Sequence, residues 1–281
     1  MTKGTGSMFW RRLRRNRAAL IGGGLVLFFV ILAVLADVVA PYDPMASNFR
    51  ARYAVPSWDH WLGADGLGRD MLSRIIHGAR YSLLTGLISV GIAFSVGSLL
   101  GLIAGYFRGI VDTIIMRFMD VLLAFPGILL AIAIISVLGR GLTNAMIAVG
   151  IYSIPAFARV LRSSVLEKRE EEYVQAARAG GSSSGRIIFR HVLPNALAPV
   201  LVLATMRLGS AILAAASLSF VGLGAQPPMP EWGAMLSAGK DVLRTAPHVT
   251  LFPGIAILLT VIGFNLFGDG LRDALDPKSR G

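Results

Sequence analysis

Residues 172–195 read Glu172-Tyr173-Val174-Gln175-Ala176-Ala177-Arg178-Ala179-Gly180-Gly181-Ser182-Ser183-Ser184-Gly185-Arg186-Ile187-Ile188-Phe189-Arg190-His191-Val192-Leu193-Pro194-Asn195. Tyr173–Ala179 together make a strong helix-forming run. They follow Glu167, Glu170 and Glu171, and with Glu172 these acids suit a helix N-terminus. Gly180-Gly181 breaks that helix. Ser182–Ser184 can cap a second one, Arg186–His191, that begins near Gly185 and ends before Leu193-Pro194-Asn195. A short helix–turn–helix with small residues and alternating basic and apolar positions suits docking into a groove on another protein. An amphipathic loop lying on a lipid surface is the alternative that the residues leave open.

Working outward, the segment is flanked by two apolar runs, Thr143–Leu161 and Ala196–Leu218. Further runs lie at Ser82–Gly105, Ile114–Leu138 and Thr250–Phe267, and the first spans Ala18 to Ala36 and on to Val39. About twenty apolar residues cross a ~30 Å hydrocarbon layer, so six spans are expected. Composition agrees. Of 281 residues, 54% are hydrophobic and 15% charged, against about 25% charged in soluble domains. Too little polar surface remains for water, and lipid is the solvent. With no cysteine, disulfide frameworks, thiolate nucleophiles and zinc–thiolate sites are excluded. His60, His77, His191 and His248 stand far apart, so a paired-histidine metal helix is absent, and no metal is expected.

The net charge of +11 is not a nucleic-acid footprint. Lys3, Arg11, Arg12, Arg14, Arg15 and Arg17 precede residue 18 with no acid among them and abut the first apolar run, the pattern of a cytoplasmic flank. That run exceeds the roughly 7–15 residues of a signal-peptide core and reads as an uncleaved span. Starting inside, loops 41–81, 139–142 and 219–249 fall outside, while 106–113, 162–195 and the C-terminus fall inside. Arg162, Lys168, Arg169, Arg178, Arg186 and Arg190 in 162–195 support this assignment.

Within the spans, Gly97, Gly101 and Gly105 make a ladder on one face of the second helix that lets another backbone approach. Pro126 is expected to kink the third. Charged and polar residues inside spans are candidates for a pathway or gate, here Asp120, Arg207 and Asn265. For Asp120 the plainer expectation is a pair with Arg117 at i,i+3, and for Asn265 a single interhelical hydrogen bond. No span carries the facing carboxylates expected of an ion-coupled carrier, and no catalytic constellation is present. In the outer loops, Arg69-Asp70 suits an internal ion pair or a protein contact, and Trp232 an interface anchor.

Gln175-Ala176-Ala177, Gly181 and Leu193-Pro194 fall at the spacing of the E-A-A-x3-G-x9-I-x-L-P signature, and the chain resembles the permease subunits of ABC importers on that ground. Gln175 replaces the Glu and His191 the Ile, departures shared with the peptide-importer branch (A-A-R-x-x-G-x-S…R-H-x-L-P-N). Leu62–Asp70, Gly78–Leu83, Leu218–Gly224, Pro230–Gly233 and Gly268–Pro277 also resemble that branch, in order and over nearly the whole chain. The N-terminal span, the L-G-x-D-x-x-G-R-D run and the Asp276-Pro277 ending resemble the second permease of dipeptide, oligopeptide and nickel-type importers.

The resemblance implies an all-α polytopic membrane protein of the ABC type I importer fold, with six transmembrane helices and a cytoplasmic coupling helix. Its parts would be a basic N-terminus (1–17), a first transmembrane helix (18–40), a periplasmic segment (41–81), a core (82–268) holding coupling loop 162–195 and periplasmic loop 219–249, and a cytoplasmic tail (269–281). It implies import of di- or oligopeptides, or on the same scaffold nickel chelates, glutathione or another small solute. A stand-alone carrier or channel is the competing class. Gly239-Lys240-Asp241 fails the phosphate-loop pattern, so the chain is expected to be no enzyme and to hold no cofactor, with ATP and Mg bound by partners. Those partners are a second homologous permease, two ATPase subunits, a periplasmic or lipid-anchored substrate-binding protein and the lipid bilayer. The expected location is the bacterial cytoplasmic (inner) membrane, with both termini inside. ATPase coupling would fall to Glu172, Tyr173, Gln175, Ala176, Ala177, Arg178, Gly181, His191, Leu193 and Pro194.

Overall fold

A computed structural model describes residues 13–14 and 16–275, and helices dominate it. The basic residues Lys3, Arg11, Arg12 and Arg15 and the Asp276-Pro277 ending lie outside the described residues. Asn16 caps α1 (Arg17–Val34), accepting from the Ala19 N–H at 3.1 Å, and a single turn, α2 (Ala36–Val39), continues it. After the outer segment come α3 (Met71–Phe107), α4 (Gly109–Leu123), α5 (Gly127–Leu138) and α6 (Leu142–Lys168). Five helices are long and apolar enough to cross a membrane, and α4 with α5, bent by 92°, makes a sixth, broken crossing. The six expected spans are accounted for.

Contacts at the helix ends fix the direction of each pass. Arg169, just past α6, donates to the Tyr106 carbonyl in the last turn of α3, so α4 and α5 return the chain to the opposite face. Asn16 donates to Asp273 at 3.1 Å, joining the start of α1 to the end of the last helix. A cleft lined by Glu167, Lys168, Asn195, Arg272 and Leu275 places that end beside the 162–195 loop. The described ends of the chain therefore share one face with that loop.

Small residues set the packing. Between helices in lipid there is no hydrophobic driving force, and close backbone approach supplies the dispersion contacts. A Cβ at Gly97 would stand 2.6 Å from the Ile154 carbonyl oxygen, and one at Gly101 would overlap the Ala158 backbone. The glycine ladder thus seats α3 on α6, over the fully buried Phe157, Leu161 and Val165. Gly22 plays the same part for α1, lying against Gly263 and Phe267.

Within the membrane helices, three expectations change. The helix that carries the second span begins earlier than its apolar run, at Met71, because Asp70 caps it there with its carboxylate on the Ser73 N–H at 2.8 Å. The third span is broken outright rather than kinked. Pro126 disfavours helical backbone at the residue before it and has no N–H to give, so α4 stops at Leu123 and α5 starts at Gly127. Asp120 pairs with Arg159 of α6 at 2.6 Å and not with Arg117, because the adjacent Met119 packs on Ile154 and Ala158 of α6 while Arg117 stays exposed.

The outer segment is a built cap. Asp65 accepts from Arg69 at 2.7 Å with both side chains nearly buried, and Arg74 donates to the Pro44 carbonyl at 2.9 Å. Asp70 takes His60 at 2.9 Å. Arg69 and Asp70 are therefore both internally paired, but with Asp65 and His60 rather than with each other. Gly68, at φ 72°, lies so close to the Asn48 carbonyl that no Cβ fits. The loop from Val221 returns through Glu231, whose carboxylate caps α11 (Trp232–Gly239) by accepting from the Gly233 and Ala234 N–H groups at 3.0 and 2.9 Å. Trp232 is no interface anchor. It is fully buried against Gly78, with its indole N–H on the Ile75 carbonyl at 3.0 Å and Phe29 edge-on at 5.5 Å.

Candidate functional site

The face that gathers the ends of α3 and α6 carries a short helix, α7 (Glu172–Ala179), with Glu171 at its N-cap and Glu172 in its first turn. Its C-terminus closes as expected at Gly180-Gly181. The Ser182 N–H reaches the Ala177 carbonyl (3.1 Å), the Gly181 N–H reaches that of Arg178 (3.0 Å), and Gly181 is left-handed at φ 76°. This is the paired closure that favours glycine just past a helix end. Val174, fully buried, ties α7 down by joining the apolar cluster of Ile187, Ile188, Val192 and Ala196, with Ala177 and Leu193 against it. Tyr173, Gln175, Ala176 and Arg178 point away from that contact and are exposed.

The second half departs from expectation. Ser183 stands at the N-cap of α8 (Ser184–Ile187) without a side-chain cap bond. The helix does not end before Leu193-Pro194. It widens into a π turn over Ile188–Val192 and runs on through α9 (Leu193–Ala196) into α10 (Ala198–Phe220). Pro194 has no N–H for the Arg190 carbonyl and its ring crowds that position, and a wider turn absorbs the conflict. The turn brings His191 beside Tyr173, ring centroids 6.4 Å apart, while Pro194 stays exposed. The ten residues singled out in the loop therefore fall on one structural unit.

The root of α7 is anchored separately. The Arg169 guanidinium donates to the Tyr106 carbonyl at 2.5 Å and lies over the Tyr106 ring. Burial, and the charge of Arg108 beside it, hold its proton affinity below the ordinary arginine value. Glu170 pairs with Arg108 at 3.1 Å, and Asp112 takes Arg162 in a two-pronged bond of 2.5 and 2.6 Å. Local sequence reading missed these partners, which stand 62 and 50 residues apart in Glu170–Arg108 and Arg162–Asp112. The available signal was Arg159 and Arg162 one turn apart opposite Asp112 and Asp120 on the previous crossing.

The three span candidates do not form one site. Asp120 is engaged by Arg159. Arg207 is half-buried in α10. Asn265, on α12 (His248–Leu275), is exposed and has no hydrogen bond among the described residues, so the expected interhelical bond is not formed. No ion pair or hydrogen bond joins the three.

Residues 97–281 match the family described as binding-protein-dependent transport system inner membrane component, and residues 5–56 match the N-terminal transmembrane domain of oligopeptide transport permease C. The chain belongs to this permease family. The permease is 51% identical over 273 residues to the glutathione transport system permease protein GsiD of Pectobacterium atrosepticum, covering 96% of this chain and 90% of that one. It is 49% identical over 271 residues to the dipeptide transport system permease protein DppC of Alkalihalophilus pseudofirmus, with 96% and 89% covered. In fold it is similar to a chain of the MetNI methionine ABC transporter in an inward-facing form (TM-score 0.58, 20% identity, 73% and 98% covered). A chain of an amino acid ABC transporter gives a TM-score of 0.55 at 15% identity, with 72% and 94% covered. The permease is thus a multi-pass inner membrane component of an ABC importer with the type I fold, and the expectation of that architecture holds.

Proposed function

We propose that this permease forms, with a second homologous permease, the pathway by which small peptides, glutathione among them, pass from a substrate-binding protein into the cytoplasm. Its relatives are named for dipeptide and for glutathione, itself a tripeptide, and the two substrates are supported equally. Two ATPase subunits would bind ATP and Mg, hydrolyse the nucleotide and seat α7 in a surface groove. The loop face, with both termini, would be cytoplasmic, and the cap of residues 41–70 would meet the periplasmic or lipid-anchored binding protein.

The observation that carries this reading is the build of α7. One buried valine fixes it to the foot of the bundle, a left-handed glycine closes it, and Tyr173, Gln175, Ala176 and Arg178 are left to a partner. Glu172 and Arg178 are the charges placed for ionic contacts to the ATPase. Rigid tilting of helices around a path between two such subunits then gives alternating access. Asp120, Arg207 and Asn265 are the residues we assign to the path or its gate.

Gentle purification of the tagged chain from its own membranes tests the reading. A second permease and ATPase subunits should accompany it, with hydrolysis stimulated by binding protein loaded with glutathione or a dipeptide. A chain that emerges alone and transports in liposomes without ATP sinks the proposal. So does an Ala176→Asp or Gly181→Asp variant that keeps full docking and uptake.

A further inference from the structure

The ionic contacts of α4 fall on one side and in one order. At the turn entering α4, Arg108 pairs with Glu170 at 3.1 Å. One turn in, Asp112 holds Arg162, and two turns further Asp120 holds Arg159 at 2.6 Å. The rungs climb α4 while they run back along α6, and the lowest stands two residues before α7 begins. Apolar attachment is confined to one patch. Met119, the one buried residue of α4, packs with Met116 and Leu122 on Ile154 and Ala158 of α6, while Ile110, Ile114, Phe118 and Val121 face outward. No residue of α4 belongs to the apolar cluster that Val174 of α7 joins. At its far end α4 stops at the break before Pro126, so its coupling to α5 passes through a bend of 92° and not through a continuous helix.

The near end is clamped twice. Arg169 holds the last turn of α3, and Glu170 holds Arg108, where Arg108 and Gly109 take consecutive left-handed conformations (φ 57° and 59°). Such backbone persists where its surroundings over-determine it.

We propose that Arg108–Glu170, Asp112–Arg162 and Asp120–Arg159 form a linkage that makes α4 travel with the root of the coupling helix, so that these six are positioning residues for ATP-driven transport. Displacement of α7 reaches α3, α6 and α10 through packing around Val174, whereas α4, outside that cluster, is joined to α6 by the Met119 patch and tied to the root of α7 by these pairs. The inference rests on the reading that α7 seats in an ATPase subunit.

The test uses the complete importer in proteoliposomes, with both permeases, ATPase subunits and loaded binding protein. ATP hydrolysis is followed beside uptake of labelled glutathione and of a labelled alanyl dipeptide. Asp112→Asn should keep stimulated hydrolysis within about twofold of wild type while uptake per ATP falls about fivefold, and the exchanged pair Asp112→Arg with Arg162→Asp should recover most of that loss. Hydrolysis and uptake falling to the same fraction, both staying unchanged, or an exchanged pair no better than the single variant overturns the linkage. Should Asp112→Asn fail to assemble, Glu170→Gln at the more exposed lowest rung gives the same comparison.

The chain has no cysteine, so spin labels can be placed on the assembled wild type at Ile114→Cys of α4 and Phe189→Cys beside α7, both exposed. Their separation should hold constant when ATP is added, and its distribution should broaden in Asp112→Asn. A separation that changes in the wild type overturns the linkage. Absence of ATP-driven uptake in the wild type is seen before any variant; it refutes the transport reading and takes this inference with it.

Discussion

Placing the same methyl group at two positions of α3 should have opposite effects. Gly91 has no atom within 4 Å of where a Cβ would go, so Gly91→Ala meets open space. It should gain the ordinary alanine-for-glycine advantage in a helix, about 0.5–1 kcal/mol. At Gly97 the new Cβ would stand 2.6 Å from the Ile154 carbonyl oxygen and 2.7 Å from the Phe157 Cβ, whereas ordinary contact begins at 3.4 Å. Both neighbours are held by a helix backbone and cannot rotate aside, so α3 and α6 must part by about 0.8 Å. Spread over the ~12 Å of ladder between Gly97 and Gly105 and a contact strip about 8 Å wide, the gap opens roughly 80 Å³, which costs about 2 kcal/mol. The propensity gain offsets part of this, leaving Gly97→Ala about 1–1.5 kcal/mol less stable than wild type. Folded fraction in graded detergent denaturation of the purified chain measures both variants side by side. If the two shift in the same direction by similar amounts, glycine does not set the α3–α6 approach and the packing argument fails.

Three further outcomes follow from the geometry. Arg80 donates to the Ala33 and Val34 carbonyls and to Asp37. Arg80→Leu should speed amide exchange over residues 35–40 about tenfold or more, as loss of charge-assisted bonds of roughly 1.5–3 kcal/mol requires; unchanged exchange refutes that anchor. Burial raises the Glu231 carboxyl above its ordinary value of 4.5 against the opposing pull of its backbone bonds. The folded state therefore holds a proton that the unfolded chain releases, and stability is full below about pH 4.5 and lost as pH rises through the raised folded value. Glu231→Gln should flatten that slope in melting curves taken across pH, and an identical slope would remove Glu231 as its source. Trp232→Phe should cost about 1–3 kcal/mol by removing the indole bond to the Ile75 carbonyl, a second bond on an acceptor already within α3, and opening a gap beside Gly78, read as a lowered melting midpoint; a midpoint unchanged from wild type contradicts the buried assignment.

Hydrophobic run length and the glycine ladder are legible in the sequence because each is a local or periodic property. The six crossings, the α3–α6 contact at Gly97, Gly101 and Gly105, and the break at Gly180-Gly181 follow directly from them. What stayed hidden depends on partners distant along the chain. Asp120 has an arginine three residues before it, and nothing local says that one 39 residues later, Arg159, is the nearer partner in space. Trp232 at a lipid-facing depth resembles an anchor until Gly78, on another helix, is seen to make room for it. Pro194 reads as a terminator by the ordinary rule for helix interiors. The π turn before it shows that a chain held at both ends can instead widen its helix and continue. In the segment 172–195, the residue types are readable but the contact between Tyr173 and His191 is not.

α3 holds one more consequence. At 37 residues it is a rod about 55 Å long, nearly twice the hydrocarbon thickness. Its first turns carry Asp70, Ser73 and Arg74 of the outer cap, and its last carries the Tyr106 carbonyl gripped by Arg169. A rocking of ten degrees about either end swings the other by about 10 Å, a lever ratio fixed by length alone. The two faces of the membrane are joined by a single stiff beam, so an event at one reaches the other within one elastic response, without a relay of side chains between them.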